Sequence, residues 1–227
     1  MITSKIYAIE GIDGCGKSTL IRNLLNSQSA PFYRPIVVRE LSATDAGRRA
    51  AEWVHTHDIT ENKMAASEAL KYLSEARDAA IAEVVLPHIK NGGCVFFDRF
   101  VTTTWVYQNF KPEWGLAELI QRKFHEWSKQ FSVFSTVFLD ITPTEVARRM
   151  GERASTGGVV DPNDRKSADY YQQLREHFIS ALTTPGVIPY ELLGTLVFMH
   201  IDETSTPSEV LNKTLKELLD VSEVPSA

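Results

Sequence analysis

Ile6-Tyr7-Ala8-Ile9-Glu10-Gly11-Ile12-Asp13-Gly14-Cys15-Gly16-Lys17-Ser18 decides how the chain is to be read. Lys5 to Ile9 predicts a buried strand. Gly11 to Ser18 fits G-x-x-x-x-G-K-[ST]. Glycines at Gly11, Gly14 and Gly16 let the backbone curl so that successive N–H groups point inward, as a phosphate cradle requires. A helix opening at Lys17, with Leu20, Ile21, Leu24 and Leu25 on one face, adds unpaired N–H groups and a favourable dipole. Lys17 is placed to reach the β- and γ-phosphates and the Ser18 hydroxyl to bind Mg²⁺, with Asp13, Cys15 and Thr19 completing the loop. Cys15 has two readings, a reactive thiol at a helix N-terminus or a small loop residue, and the second is favoured.

Outward from this loop, short apolar runs alternate with helical stretches. Pro35–Arg39, Cys94–Phe97, Ser135–Leu139 and Leu196–Ile201 predict four further strands. A long helical region is expected over 61–90, closed by Asn91-Gly92-Gly93, with others near 116–129, 143–151, 165–182 and 206–220. This pattern predicts one α/β domain over 1–227, a five-stranded parallel sheet flanked by helices in three layers. Residues 151–164 lack apolar periodicity and are expected to form a mobile lid loop; 183–195 is a second irregular stretch. In such sheets ligands sit beyond the C-terminal strand ends. There stand Glu10, Arg39-Glu40, Asp98-Arg99, Asp140 and Asp202.

Composition narrows the function. The 227 residues carry a formal net charge of -5, which argues against a nucleic-acid polymer as partner. There is no run long enough to span a bilayer and no signal-peptide pattern. The two cysteines, Cys15 and Cys94, form no CxxC pair. A cytoplasmic protein acting on small molecules is expected. His55, His57, His88, His125, His177 and His200 show no metal-ligand spacing.

Asp98-Arg99 is the second chemical signal. An aspartate ending a strand can hold Mg²⁺, and the arginine beside it can clamp a phosphate in bidentate fashion; a strand-capping ion pair is the plain alternative. With these residues the chain resembles the thymidylate kinase family. Ile9 to Gly14 is similar to that family's "EGxDGxGK", and Arg39-Glu40 with Thr44 and Gly47 to its "REPGGTxxG". Leu73 to Arg77 is similar to its "FxAxR". Asn91-Gly92 with Val95 to Phe100 resembles "NGxxVIxDRY", Tyr107-Gln108 the "AYQ" that follows, and Leu139 to Pro143 with Arg148 and Arg149 its "LDVxPExxxxR". The match covers most of the chain apart from 183–195.

The resemblance implies a P-loop kinase that transfers the γ-phosphate of ATP to a deoxynucleoside monophosphate, most readily dTMP, with Mg²⁺ and as a homodimer. It implies that Arg77 and Arg99 hold the acceptor phosphate with help from Arg39. Asp13 would lie between the two nucleotides, and Tyr107 would crowd the 2′ position of the sugar. Thr103, Thr104 and Gln108 would lie near the base edge. Arg149 would meet ATP, and Lys17, Arg99 and a lid arginine would stabilise the transferring group. One branch of the family carries that arginine in the P-loop where this chain has Gly14, so a lid arginine is implied: Arg153 first, then Arg149 or Arg165. Three departures stand out. Leu41-Ser42-Ala43 replaces Pro-Gly-Gly, Leu73 replaces the base-stacking Phe with Tyr72 adjacent, and Phe100 replaces the Tyr of "DRY". Trp105 fits a base pocket or the core equally. Alternatives are a deoxynucleotide kinase of other or broader base preference, a deoxynucleoside kinase, and a non-catalytic ATP-binding module. A GTPase lacks its N/T-K-x-D tetrad here.

Overall fold

The computed structural model describes residues 5–28, 30, 32–57, 62–155 and 167–222, excluding the side chains of 153, 154, 221 and 222. Five strands, β1 (Ile6–Glu10), β2 (Ile36–Val38), β3 (Val95–Asp98), β4 (Ser135–Ile141) and β5 (Thr195–Ile201), form one sheet in the order β2-β3-β1-β4-β5. Every pairing is parallel, with Ile9 opposite Asp98 and Glu10 opposite Phe138. The register therefore brings the P-loop, Asp98 and Arg39 to the same sheet end.

The helices are α1 (Lys17–Asn26), α2 (Glu40–Ala43), α3 (Asp45–Thr56), α4 (Lys63–Ala80), α5 (Leu86–Lys90), α6 (Val101–Gln108), α7 (Ala117–Ser128), α8 (Pro143–Ser155), α9 (Ala168–Thr183), α10 (Tyr190–Leu193) and α11 (Pro207–Ser222). α1 packs with α11 beside the sheet, and α6 packs with α4, α7 and α9. Aromatic pairs fill the sheet–helix layers: Tyr7 stacks on Phe96 at 4.9 Å between centroids and Phe138 on Phe178 at 5.5 Å. Among the described residues no helix is long and apolar enough to cross a membrane.

Several elements differ from expectation, each for a physical reason. The 61–90 helix is interrupted by a π turn at Ile81–Val85. Pro87 supplies no N–H and its ring crowds the carbonyl four residues back. The wider turn absorbs this, with the Leu86 N–H donating to Ile81 O. Residues 151–155, expected in the lid, are the last turn of α8, where Arg148 bonds Glu152 at 2.5 Å and Ser155 Oγ donates to Glu152 O. Residues 156–164 of the expected lid, and Arg165, lie outside the described residues. Within 183–195, α10 forms and β5 begins at Thr195. The helices α3 and α6 were not legible as such. α3 starts at Thr44, whose hydroxyl accepts from the Gly47 N–H at 3.1 Å. α6 opens on the β-branched run Val101-Thr102-Thr103-Thr104, poor helix formers that are overridden by a cap from another strand, described below.

Phe96 of β3 is fully buried against Tyr7 of β1 and Phe32, whereas Phe198 on edge strand β5 is 45% exposed. Phe96→Ala is expected to cost about 3–5 kcal/mol in chemical denaturation, and Phe198→Ala under about 1 kcal/mol. Similar costs for both would mean that the sheet is not layered as described.

Candidate active site

The P-loop backbone is built for close approach of an anion. Gly14 and Gly16 sit at φ 77° and 104°, in the left-handed region. A Cβ on Gly14 would also press to 3.3 Å from Met150 Cε of α8, so a larger side chain is disfavoured there twice over. Lys17 is 7% exposed and its Nζ donates to Gly11 O and Ile12 O, both at 2.8 Å, so the loop's own carbonyls solvate the amine. The Cys15 thiol is buried 3.6 Å from that amine, as the loop-residue reading expects.

Glu10, which the sequence flagged only as a charged strand end, organises the next segment. It is completely buried, yet accepts from the Phe100 N–H at 3.0 Å, the Thr103 N–H at 3.1 Å and the Thr103 hydroxyl at 2.5 Å. Its carboxylate caps α6 from a strand ninety residues away. The capped turn holds Arg99 at φ 73°. A left-handed non-glycine residue costs about 1–2 kcal/mol and marks a site where geometry is imposed.

That turn aims Arg99 back at the P-loop. Its guanidinium pairs with Asp13, reaches Gly11 O at 3.4 Å and lies 6.0 Å from the Tyr107 ring centroid. Tyr107 Oη donates to the other Asp13 oxygen at 3.1 Å. Burial would raise the Asp13 pKa, but Arg99, Lys17 and the Tyr107 hydrogen bond outweigh it and hold the carboxyl at about 2. Burial and the Asp13 charge push the Tyr107 phenol well up, so it remains a donor at neutral pH.

Two further arginines are matched to carboxylates. Arg39 Nε donates to Asp98 Oδ2 at 2.8 Å and its Nη2 to Ser18 Oγ at 3.3 Å. Arg77, side chain 2% exposed, forks onto Glu40, with Nη2 at 2.6 Å from Oε2, and also donates to Thr104 Oγ1 at 2.9 Å. Its Nη1 is buried with no partner among the described residues. The Arg77 guanidinium also lies 5.1 Å from the ring centroid of Phe100 and 4.6 Å from that of Trp127.

The residues expected at the base edge are mostly engaged. Thr103 is held by Glu10, Thr104 by Arg77, and Gln108 is buried. Leu73 is half-buried one helical turn before Arg77. Tyr72 stacks on Trp53 at 5.5 Å, which turns it toward α3 and away from the role of a displaced aromatic. Trp105 packs against Phe124 and the core cluster, the plainer of its two readings. Asp140 is taken by Arg175 at 2.5 and 2.8 Å, and Asp202 by Thr204 and Ser205, so these strand ends are structural.

On the far side of the P-loop Arg149 Nη1 reaches Gly14 O and Cys15 O at 3.4 Å, and its Nε donates to Glu145 at 2.6 Å. Position 153 follows one helical turn later in α8; its side chain lies outside the described residues. Glu145, missed by sequence reasoning, holds both Arg148 and Arg149, and its own side chain is 2% exposed.

Residues 9–188 match the family model described as thymidylate kinase. A protein named thymidylate kinase from a Thermoanaerobacter species is 31% identical over 178 residues, covering 77% of this chain and 82% of its own length. Another so named, from Ralstonia nicotianae, is 30% identical over 191 residues, covering 82% of this chain and 88% of its own.

Hydrogen bonds from Arg148, then those from Arg149, hold the Glu145 carboxyl at about 2 against its burial. Its folded pKa is depressed, so its stabilisation is fully present above the ordinary value of 4.5 and is lost as pH falls toward about 2. Glu145→Gln is expected to flatten the decline in melting temperature between pH 5 and 3. It should also raise the Kd for ATP, since Arg149 loses its anchor. A wild-type acid profile in the variant would remove Glu145 from this role.

Proposed function

Because the chain belongs to the thymidylate kinase family, it is a nucleoside monophosphate kinase, and we propose that the cleft at the ends of β1, β2 and β3 transfers the γ-phosphoryl group of ATP to dTMP, giving dTDP and ADP. The observation that carries the reading is the Arg99–Asp13–Tyr107 cluster locked against the P-loop at Gly11. It sets a cation, a carboxylate and a phenol between the phosphate cradle and the acceptor side.

An oxygen of the dTMP phosphate bonds to the γ-phosphorus. The bond from that phosphorus to the β,γ-bridging oxygen breaks, and its electron pair leaves on ADP. The acceptor phosphate is ionised near neutral pH, so no proton need move and no general base is required. What remains is to bring two polyanions together and stabilise the transferring charge.

The P-loop amides from Gly11 through Thr19, with Asp13, Gly14, Cys15 and Gly16, cradle ATP, and Lys17 turns from its carbonyl partners onto the phosphates. Arg149 lies against this loop and holds the nucleotide. Ser18 and Asp98 would hold Mg²⁺: they offer hard oxygens 3.3 Å apart, and Mg²⁺ is commonly bound by one or two protein oxygens with phosphates and water. Bound there, it would neutralise charge on the phosphates. Arg99 and Arg39 hold the acceptor phosphate, and Arg77 acts on the acceptor side through its unpartnered Nη1. Leu73, Thr103, Thr104, Tyr107 and Gln108 form the wall around sugar and base. Arg153 completes the charge on the transferring group. We extend the reading to a cytoplasmic protein and to a homodimer paired through α4, on which Met64 is 82% exposed.

A second reading, broader base preference, is favoured by one observation: Tyr72, adjacent to the Leu73 that replaces the family's stacking Phe, is committed to Trp53.

Both readings are tested by ADP release with ATP, Mg²⁺ and a panel of dTMP, dUMP, dCMP, dGMP, dAMP and thymidine. The expected result is highest kcat/KM for dTMP, with dUMP, one methyl short, about 10–200-fold lower. Comparable turnover of several monophosphates selects the second reading. ATP binding without turnover of any acceptor overturns the assignment. Arg153→Ala is expected to lower kcat by about 10³-fold or more while the Kd for ATP changes less than about threefold. Equal losses in kcat and affinity would make it a binding residue instead.

A further inference from the structure

Asp98 and Ser18 are already bridged by a cation that belongs to the chain. Arg39 Nε donates to Asp98 Oδ2 at 2.8 Å, Arg39 Nη2 donates to Ser18 Oγ at 3.3 Å, and Ser18 Oγ donates to the same Asp98 oxygen at 3.3 Å. The three side chains close a triangle on the two oxygens that the metal reading needs. The Asp98 side chain is 8% exposed, so its charge needs a partner; the Arg39 side chain is 54% exposed, so its far end is free to leave. Its backbone is fixed independently, since Arg39 O accepts from the N–H groups of Ser42 and Ala43 in α2. There is space for the side chain to go: a cleft of about 480 Å³ opens beside it, lined by Arg39 with Ile21, Arg22, Leu25 and Val37.

We propose that Arg39 is a built-in counter-cation of the Mg²⁺ site, competing with the metal for Asp98 and Ser18 and leaving when the metal is loaded. The inference rests on the Ser18–Asp98 metal reading given above. Two cations cannot share this oxygen pair, because a dication at Asp98 Oδ2 meets a guanidinium whose Nε is bonded to the same atom. The apparent metal affinity is therefore lowered by the fraction of molecules in which Arg39 is engaged. Loading then converts a masked arginine into a free one at the end of β2. By linkage, whatever Arg39 binds once released favours metal loading in return. Such an arginine keeps the Asp98 charge balanced without metal and becomes available when the metal is in place.

The test is Mn²⁺ titration, read by electron paramagnetic resonance, of the full chain carrying one equivalent of ADP, which needs no turnover. Arg39→Gln is expected to tighten Mn²⁺ binding about 3–10-fold, as removal of a competitor engaged most of the time requires. Arg22→Gln, which removes the same charge from the same cleft without touching Asp98 or Ser18, is expected to change it less than about twofold. Asp98→Asn is expected to weaken it. Unchanged or weaker binding in Arg39→Gln overturns the proposal. So does equal tightening in Arg22→Gln, which would make the effect one of general field. If Asp98→Asn binds Mn²⁺ as the wild type does, the metal reading itself fails and the competition fails with it.

Discussion

The buried carboxylate of Glu10 is the constraint on which the acceptor side depends. A carboxylate without water is tolerated only when its oxygens are saturated by donors. Here the donors are two backbone N–H groups and a hydroxyl, all from the segment after β3. The bonds join the strand that leads into the phosphate loop to the turn that carries Arg99. They supply the helix cap that Val101 to Thr104 cannot supply from their own propensities, and they hold Arg99 in a left-handed conformation it would not choose. The relative placement of P-loop and Arg99 is thus set by a contact between adjacent parallel strands, a rigid part of the fold.

A cleft that receives two polyanions must gather arginines, and arginines gathered without their ligands repel. Each is matched to a carboxylate: Arg99 to Asp13, Arg39 to Asp98, Arg77 to Glu40 and Arg149 to Glu145. The pairs differ in how readily they can be exchanged for a substrate. Arg77 and Glu40 are both almost wholly buried, and burial pushes Glu40 up against the pull of Arg77, so this pair is a fixed part of the pocket wall. Arg39 is half exposed and shares its acceptor with a proposed metal ligand, so it is exchangeable. Arg99 lies between, tied to Asp13 while facing the P-loop. Pairing therefore preorganises the site, and the gradient of burial decides which arginines move.

What was legible in the sequence was the part whose chemistry is local. Gly11 to Ser18 must be contiguous because a backbone cradle is made of consecutive amides, and Asp98-Arg99 follows its strand directly. The alternation of strands and helices had the same origin and yielded all five strands. The partners were not legible, because an ion pair is a long-range fact: Glu40 lies 37 residues from Arg77, and Glu10 lies 90 from Phe100. Glu145 was missed although Arg148 and Arg149 lie three and four residues away. A carboxylate at helical spacing from two arginines is a readable signal, but on its own it describes an ordinary exposed helix face. The capping of α6 was hidden for the same reason, since a carboxylate from another strand overrides the local preference of Val101 to Thr104, whereas the π turn is a local response to Pro87.

The base pocket shows how a single substitution is reinterpreted once its surroundings are known. Leu73 beside Tyr72 invites the idea that the aromatic ring has moved by one position. On a helix that cannot work, because adjacent residues point about 100° apart and do not face the same surface. The structure agrees: Tyr72 lies on Trp53, which in turn stacks on His57 at 4.0 Å, extending the aromatic contact from α4 across α3. Leu73 is the residue on the Arg77 face. An aliphatic side chain offers a base dispersion and apolar burial but no ring quadrupole to orient it. Orientation must then come from directional groups, and around Arg77 these are Thr104 and the unpartnered Nη1. On the proposed reading, selection would rest on hydrogen bonding more than on stacking, since a site that reads a base by its polar edge discriminates through the cost of leaving a buried donor unpaired.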